Sequence, residues 1–296
     1  MNLTRQLPFS LAIMVLFSGV VAGQDAGRFA NISTQVFCET QQAVVVTEFI
    51  AYGRGNESFA LRGLGPSLFL VADPLQDPTL SLLDARGERL DHNDNWMDSP
   101  DKDELIALGL APSNDVESAT IDAVRPGIYT SVVRGTHRGE GTALSEVFDL
   151  LDGDLQLSAV GTRGFVGTLD DEMISGTIVT GNVLTVLVRA LGPSLADAGL
   201  PGVLANPTLE LRDSNGVLIA ANDDWRKGGQ EAEIIASGLP PPNDLEAAVI
   251  LPLGPGAYTA IVDGAGGTTG LGFIQWYSLA TPARELDPAP LLKPRH

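Results

Sequence analysis

The residue types best suited to chemistry sit in two acidic, amide-rich segments. Asp91, Asn93, Asp94 and Asn95 precede Trp96, and Asn222, Asp223 and Asp224 precede Trp225. Asp98, Asp101, Asp103 and Glu104 follow the first tryptophan, and Glu231 and Glu233 follow the second. A hard cation such as Ca2+ takes about six to eight oxygen ligands, and a strand-end loop rich in Asp and Asn supplies several of them. Asn93, Asp94, Asn95, Asn222, Asp223 and Asp224 are therefore candidate calcium ligands, although no EF-hand spacing fixes the set. The competing reading uses the same side chains to cap turns and a helix, with the tryptophan closing one end of the fold.

A second polar set reads Asn114-Asp115-x-Glu117 and Asn243-Asp244-x-Glu246. On a strand of period two, Asp115 and Glu117 share one face, as do Asp244 and Glu246. An inward carboxylate needs a partner, and Arg62 and Arg189, each inside an apolar run, are expected to pair with Glu117 and Glu246. Metal ligation by these acids is the rival role. A carboxylate-dependent hydrolase would need acids such as Asp94 and Glu117 to converge at about 5–10 Å.

Nucleophilic catalysis has little support. The histidines are His92, His137 and His296, and the second segment carries Ala221 and Gly266 where the first two would recur. Ser67 and Ser194 lie in Gly-Pro-Ser-Leu, which reads as a turn and lacks the Gly-x-Ser-x-Gly elbow. Zinc-ligand spacing and phosphate-cradling loops are missing as well. No catalytic residue is assigned, and no organic cofactor is expected.

The elements that must position these residues come in two copies. Asn93-Asp94-Asn95-Trp96 is answered by Asn222-Asp223-Asp224-Trp225, and Asn114-Asp115-Val116-Glu117 by Asn243-Asp244-Leu245-Glu246, each pair 129 residues apart (94 to 223, 114 to 243). Pro126-Gly127-Ile128-Tyr129-Thr130 and Pro255-Gly256-Ala257-Tyr258-Thr259 keep that spacing. Arg62 to Leu68 and Arg189 to Leu195 sit 127 apart (62 to 189), which places a two-residue indel after the Gly-Pro-Ser motif. The chain is thus a duplication. The repeats are expected over 30–152 and 153–281, with a short joint.

Within a repeat, runs such as Ala43 to Ile50, Glu57 to Leu61, Thr79 to Leu83, Val116 to Ile121, Ile128 to Val133 and Thr142 to Leu150 carry β-branched or aromatic residues bounded by Gly, Pro, Asn and Asp. Asp84-Ala85-Arg86-Gly87 and Asp213-Ser214-Asn215-Gly216 are hairpin turns. Ser99 as N-cap, Pro100 at the first helical position and Gly109 past the end predict a short helix, repeated over Gln230 to Ser237 before Gly238. The fold expected is all-β: two tandem antiparallel β-sandwich modules, jelly-roll-like, of about eight strands each and with one short helix per module.

Composition sets the address and excludes some partners. A net charge of -19 argues against a nucleic-acid partner. Arg5, the apolar run Pro8 to Val21 and Val20-Val21-Ala22 form a removable signal peptide over 1–22, so the mature chain is expected to be secreted or on the cell surface. No later stretch is long and apolar enough to span a bilayer, and the tail 282–296 is Pro-rich. Cys38 is the single cysteine and reads as a small buried strand residue.

The run Thr79-Leu80-Ser81-Leu82-Leu83-Asp84-Ala85-Arg86-Gly87, then Asn93-Asp94, then Pro126-Gly127-Ile128-Tyr129-Thr130 resembles the bacterial pre-peptidase C-terminal domain family; the second repeat matches at Thr208 to Gly216, Asn222 to Asp224 and Pro255 to Thr259. The resemblance covers about half of each repeat. It implies a jelly-roll accessory module without catalysis, in some members stabilised by calcium and in others binding a polymer such as collagen or a glycan. Thr79 and Thr208 stand where such modules often carry an acid, which weakens the implied calcium. The whole pattern also resembles tandem repeats of large secreted or surface proteins of environmental bacteria. The function expected is a secreted binding or structural protein with an extracellular polymer, glycan or protein as partner. A self-assembling surface adhesive and a carboxylate hydrolase are the alternatives.

Overall fold

The computed structural model describes residues 26–38, 44–71, 73–150, 154–168 and 171–281. The leader 1–22, the tail 282–296 and the expected repeat boundary at 152/153 lie outside these residues. Among the described residues no helix is long and apolar enough to cross a membrane.

The first repeat contributes β1 (Arg28–Cys38), β2 (Val45–Tyr52), β3 (Glu57–Leu64), β4 (Pro78–Leu83), β5 (Arg89–Asn93), α1 (Lys102–Ala107), β6 (Ser118–Val124), β7 (Gly127–Gly135) and β8 (Gly141–Asp149). The second contributes β9 (Gln156–Val166), β10 (Met173–Thr180), β11 (Leu184–Leu191), α2 (Pro193–Asp197), β12 (Pro207–Asp213), β13 (Leu218–Asn222), α3 (Glu231–Ala236), β14 (Ala247–Leu253), β15 (Gly256–Gly264) and β16 (Gly270–Ser278). The all-β antiparallel sandwich is thereby established. The hairpins form where Asp-x-x-Gly predicts them. Asp84 Oδ1 accepts the Arg86 and Glu88 amides, Asp213 Oδ1 accepts those of Asn215 and Val217, and Gly87 and Gly216 take φ +83° and +77°.

The helix starts later than the sequence suggests. Ser99 Oγ accepts the Asp101 amide at 3.2 Å, and the helical turns begin only at Lys102. Asp101 holds the N-cap position but makes no cap bond, because its carboxylate is engaged by a strand (below). Glu117 is also misplaced by a pure strand reading. It lies in the turn that precedes β6, so period-two logic does not govern it.

Strand pairing runs across the duplication. One run of eight strands has the order β6-β3-β8-β1-β10-β15-β12-β13, and the other β14-β11-β16-β9-β2-β7-β4-β5. Adding or subtracting eight turns one order into the other, a pseudo-two-fold relation. β1 pairs with β8 of its own repeat on one side and with β10 of the other repeat on the opposite side, while β9 does the same with β16 and β2. Two parallel bridges, Phe29↔Leu157 and Phe37↔Phe165, join the runs where β1 and β9 pass.

A single core lies between the two runs and draws on both repeats. Phe29, Ile32, Phe49, Phe59, Leu61, Val160, Val186, Leu209 and Trp276 belong to it, and the Phe49 and Phe59 rings stand 5.5 Å apart. Burying each such side chain contributes about 1.5–3 kcal/mol. Hydroxyls cross the junction in matched positions. Thr34 bonds Ser175 at 3.0 Å and Thr47 meets Thr162 at 3.1 Å between the repeats, while Trp276 Nε1 donates to Ser175 Oγ within the second. The Pro-Gly-x-Tyr motif ties a corner in each repeat: the Tyr129 and Tyr258 hydroxyls donate to the Arg125 and Gly254 carbonyls, both at 3.0 Å.

Register also sorts the loops. β1, β3, β5, β7, β9, β11, β13 and β15 all end at the same end of the sandwich, as Leu64↔Leu144, Cys38↔Gly141, Gln35↔Ile174, Pro207↔Gly264 and Gly270↔Val166 require. The long segments 65–77, 94–117, 192–206 and 223–246 therefore leave and return at one end. The tight turns 84–88, 125–126, 181–183 and 254–255 occupy the other.

Candidate functional site

The duplicated amides act on sheet edges. Asn93 and Asn222 end the hairpins β4–β5 and β12–β13. The Asn93 amide donates to the Asn95 carbonyl at 3.1 Å, and its Oδ1 accepts the Ala119 amide of β6 at 3.0 Å. Asn222 repeats both bonds, with the Asp224 carbonyl at 3.2 Å and the Ala248 amide of β14 at 3.0 Å. Two residues along each strand, Asp101 Oδ2 accepts the Ile121 amide at 2.9 Å, and Gln230 takes both the Ile250 amide (3.1 Å) and its carbonyl (2.6 Å). β6 and β14 are outermost strands, so these are backbone groups that no neighbouring strand pairs. Pro252, the next alternate residue on β14, has no N–H to leave open. Side chains thus seal both edges, an arrangement that blocks further strand pairing there.

Trp96 and Trp225 lock the segments that carry these seals. The Trp96 amide donates to the Glu117 carbonyl and its indole N–H to the Asn114 carbonyl; Trp225 does the same with Glu246 and Asn243. Neither tryptophan closes an end of the sandwich. Trp96 is buried with Leu105, Leu110, Ala60 and Phe148 on the outer face of one run, and Trp225 with Ile234, Leu187 and Tyr277 on that of the other.

Glu117 and Glu246 hold the Gly-Pro-Ser loops, not the arginines. Glu117 Oε1 accepts the Gly65 amide (2.8 Å), the Ser67 amide (2.9 Å) and the Ser67 hydroxyl (2.7 Å). Glu246 Oε1 accepts the Gly192 and Ser194 amides, both at 3.0 Å, and the Ser194 hydroxyl at 2.5 Å. Both carboxylates are fully buried. The motif glycine is needed because a Cβ on Gly65 or Gly192 would run into the Leu75 or Leu204 carbonyl. With its hydroxyl donating to a buried carboxylate, each serine is a structural tie; Ser67 lies in a loop, but Ser194 opens α2, so the expected turn is a short helix in the second repeat, which has two helices and not one.

Arg62 and Arg189 pair elsewhere than expected. β3 lies beside β8 with Arg62 directly opposite Glu146, and this register places the two on one face, while Glu117 sits in a turn. Arg62 Nε donates to Glu146 Oε2 at 2.7 Å, its NH2 group bonds the same oxygen, and NH1 reaches the Leu110 carbonyl at 2.9 Å. Burial pushes the Glu146 carboxyl up, and the neighbouring Arg62 charge opposes that shift. The second repeat places Gln275 where the first has Glu146. Arg189 donates to Gln275 Oε1 (2.6 Å), the Tyr277 hydroxyl (2.9 Å) and the Leu239 carbonyl (2.8 Å). Each guanidinium also stacks on a ring, Phe148 at 5.0 Å and Tyr277 at 4.9 Å. Each arginine clamps the segment after the short helix onto the outer face of its sheet. Sequence reasoning missed Glu146, Gln275, Phe148, Tyr277 and Gln230. The 129-residue spacing pairs 146 with 275 and 148 with 277, so that signal was present.

Of the residues proposed for a cation, Asp94 and Asp223 are exposed, Asn95 and Asp224 lend their carbonyls to the neighbouring asparagine, and the Asp224 carboxylate is bonded by Lys227 at 2.6 Å. Among the described residues no three His, Cys, Asp or Glu side chains are grouped to hold a metal ion. Asp122 on β6 has its carboxyl raised to about 6 by burial, with Asp91 and Asp101 adding to the shift and the Thr120 hydroxyl opposing it. Burial likewise pushes the Cys38 thiol up to about 11, so it is no nucleophile at neutral pH.

No protein-family model and no curated protein matches the chain. Among solved structures, a chain of the Sulfolobus turreted icosahedral virus aligns with 10% identity over 90% of this chain and 94% of that one, at a TM-score of 0.23. PNGF-II aligns with 13% identity over 85% of this chain and 65% of that one, at 0.20. Neither score carries an argument about fold or function.

Proposed function

We propose that the chain is a non-catalytic, exported β-scaffold that binds an extracellular polymer or protein through the loop-bearing end of its sandwich. The observation that carries this reading is the division of labour between residues. The shared polar residues Asn93/Asn222, Glu117/Glu246 and Arg62/Arg189 are all bonded to backbone or buried partners, which is scaffold work. Exposed apolar residues that the repeats do not share stand in a loop at that end. Phe69 is 83% exposed and Leu70 53% in segment 65–77 of the first repeat, where the second repeat has Ala196 and Asp197. Exposed aromatic and aliphatic side chains on a rigid frame are the usual anchors of a binding surface. The leader-like segment 1–22 supports export.

The test is a binding survey of the mature chain on immobilised collagen and insoluble polysaccharides, with Phe69→Ser/Leu70→Ser beside the native protein. Retention that the double variant loses, with no polymer turned over, is expected. Turnover of a polymer, or retention indifferent to Phe69 and Leu70, would overturn the reading.

A further inference from the structure

We infer that β13 is a self-pairing edge through which two copies of this chain join antiparallel about a two-fold axis. Each run of eight strands has two ends, and three of the four are guarded. β6 and β14 have outward amides taken by Asn93, Asp101, Asn222 and Gln230, and Pro252 on β14 has no amide to offer. β5 carries Arg89, Asp91 and His92, the charged and polar side chains that ordinarily protect an edge. β13 is the exception. From Val217 to Asn222 it reads Val-Leu-Ile-Ala-Ala-Asn without a charge, and Val217, Leu218 and Ile219 are 57%, 47% and 39% exposed. Both hairpins carry a bulge at the matching place, between Leu82/Leu83 and Leu211/Arg212, so charge and not strand geometry separates β13 from β5.

Charge also selects the occupant. A chain of net charge -19 repels its own copy over most of its surface. β13 itself adds nothing to that repulsion: the strand is neutral, and behind it on β12 Glu210 and Arg212 neutralise each other at 2.5 Å. Antiparallel self-pairing sets uncharged residues opposite their own kind, so no like charges meet across the seam. A basic partner would be drawn to the acidic surface instead of to this strand. The same antiparallel edge joining already links the two repeats, through β1 with β10 and β9 with β2. Because β13 is the single unguarded edge of the described residues, the association is isologous and closes at two copies. This inference does not rest on the polymer-binding reading, and either can fail alone.

The test is sedimentation velocity on the mature chain across a wide concentration range, at about 0.15 M salt and at several-fold higher salt, where screening weakens the repulsion. A dimer that grows with concentration and salt is expected. Ile219→Lys is expected to stay monomeric throughout, while Leu90→Lys, the same change at the matching place on β5, leaves the dimer intact. Melting curves establish that both variants are folded. A native chain that stays monomeric throughout, a dimer that survives Ile219→Lys, or growth beyond two copies would overturn the proposal.

Discussion

Replacing Arg62 and Glu146 one at a time separates two ideas about a buried charge. Arg62→Met leaves Glu146 fully buried with its charge uncompensated, and breaking a buried pair from one side costs about 3–5 kcal/mol. Glu146→Gln instead gives the first repeat the Arg–Gln contact the second already has, where Arg189 is satisfied by Gln275, backbone carbonyls and Tyr277, whose hydroxyl Phe148 lacks. Its cost is expected near 1 kcal/mol, the scale of one weakened hydrogen bond. At about 2–4 °C per kcal/mol for a chain of this size, Arg62→Met lowers the melting temperature by roughly 10 °C and Glu146→Gln by a few degrees. The pH dependence sharpens the contrast. A carboxyl raised by burial contributes stability that is fully present below its unfolded pKa and is lost as pH rises through the folded value. Removing Arg62 raises Glu146 further, so the deficit of Arg62→Met is greatest at neutral pH and shrinks towards pH 4, while that of Glu146→Gln slopes the other way, smaller at pH 7 than at pH 4, because the variant has no carboxyl to ionise. Melts at pH 7 and pH 4 decide it. Equal losses for the two variants at pH 7, or an Arg62→Met deficit that does not shrink in acid, would refute the reasoning.

Asn93→Ala opens the β6 edge and leaves the Ala119 amide without its acceptor, an expected loss of about 1–3 kcal/mol in urea unfolding. That loss should be the same with calcium or with chelator; a calcium-dependent gain in the native chain that Asp94→Ala abolishes would show that the loop also holds a cation. Asp122→Asn removes a carboxyl raised to about 6, which disfavours the folded state above that pH. The variant should therefore be about 1 kcal/mol more stable than the native chain at pH 7 and indistinguishable below about pH 4, as read by thermal melts.

The hairpins and the all-β class were legible because their signals are local or recur along the chain. Asp-x-x-Gly declares a turn from four residues, and a fixed spacing of 129 needs no structure to see. β1 was harder. Its residues are buried on both faces over Phe29 to Thr34, so it lacks the alternation that marks a half-exposed strand. The cross-repeat pairing of β1 with β10 leaves no local trace, since it joins residues far apart in sequence by backbone bonds alone. The Arg62 partner failed for a related reason. Choosing Glu146 over Glu117 depends on which strand lies beside β3, and residue type does not encode that. Asn93 and Asp101 were recognised as important for their oxygens, but their acceptors' true target is a strand edge, visible only once β6 is known to be outermost.

Hydrogen exchange of the native chain and of Glu246→Ala, followed peptide by peptide, tests most directly whether the shared residues build one body from two repeats. The substitution strips four hydrogen bonds, three at the Gly-Pro-Ser motif and one at the Asn243 amide, all within the second repeat. Because β1–β10 and β9–β2 make the sheets continuous, the account predicts that protection falls together in β2, β7 and β8 of the first repeat and in β11, β15 and β16 of the second. Faster exchange confined to the second repeat, with the first unchanged, would contradict it.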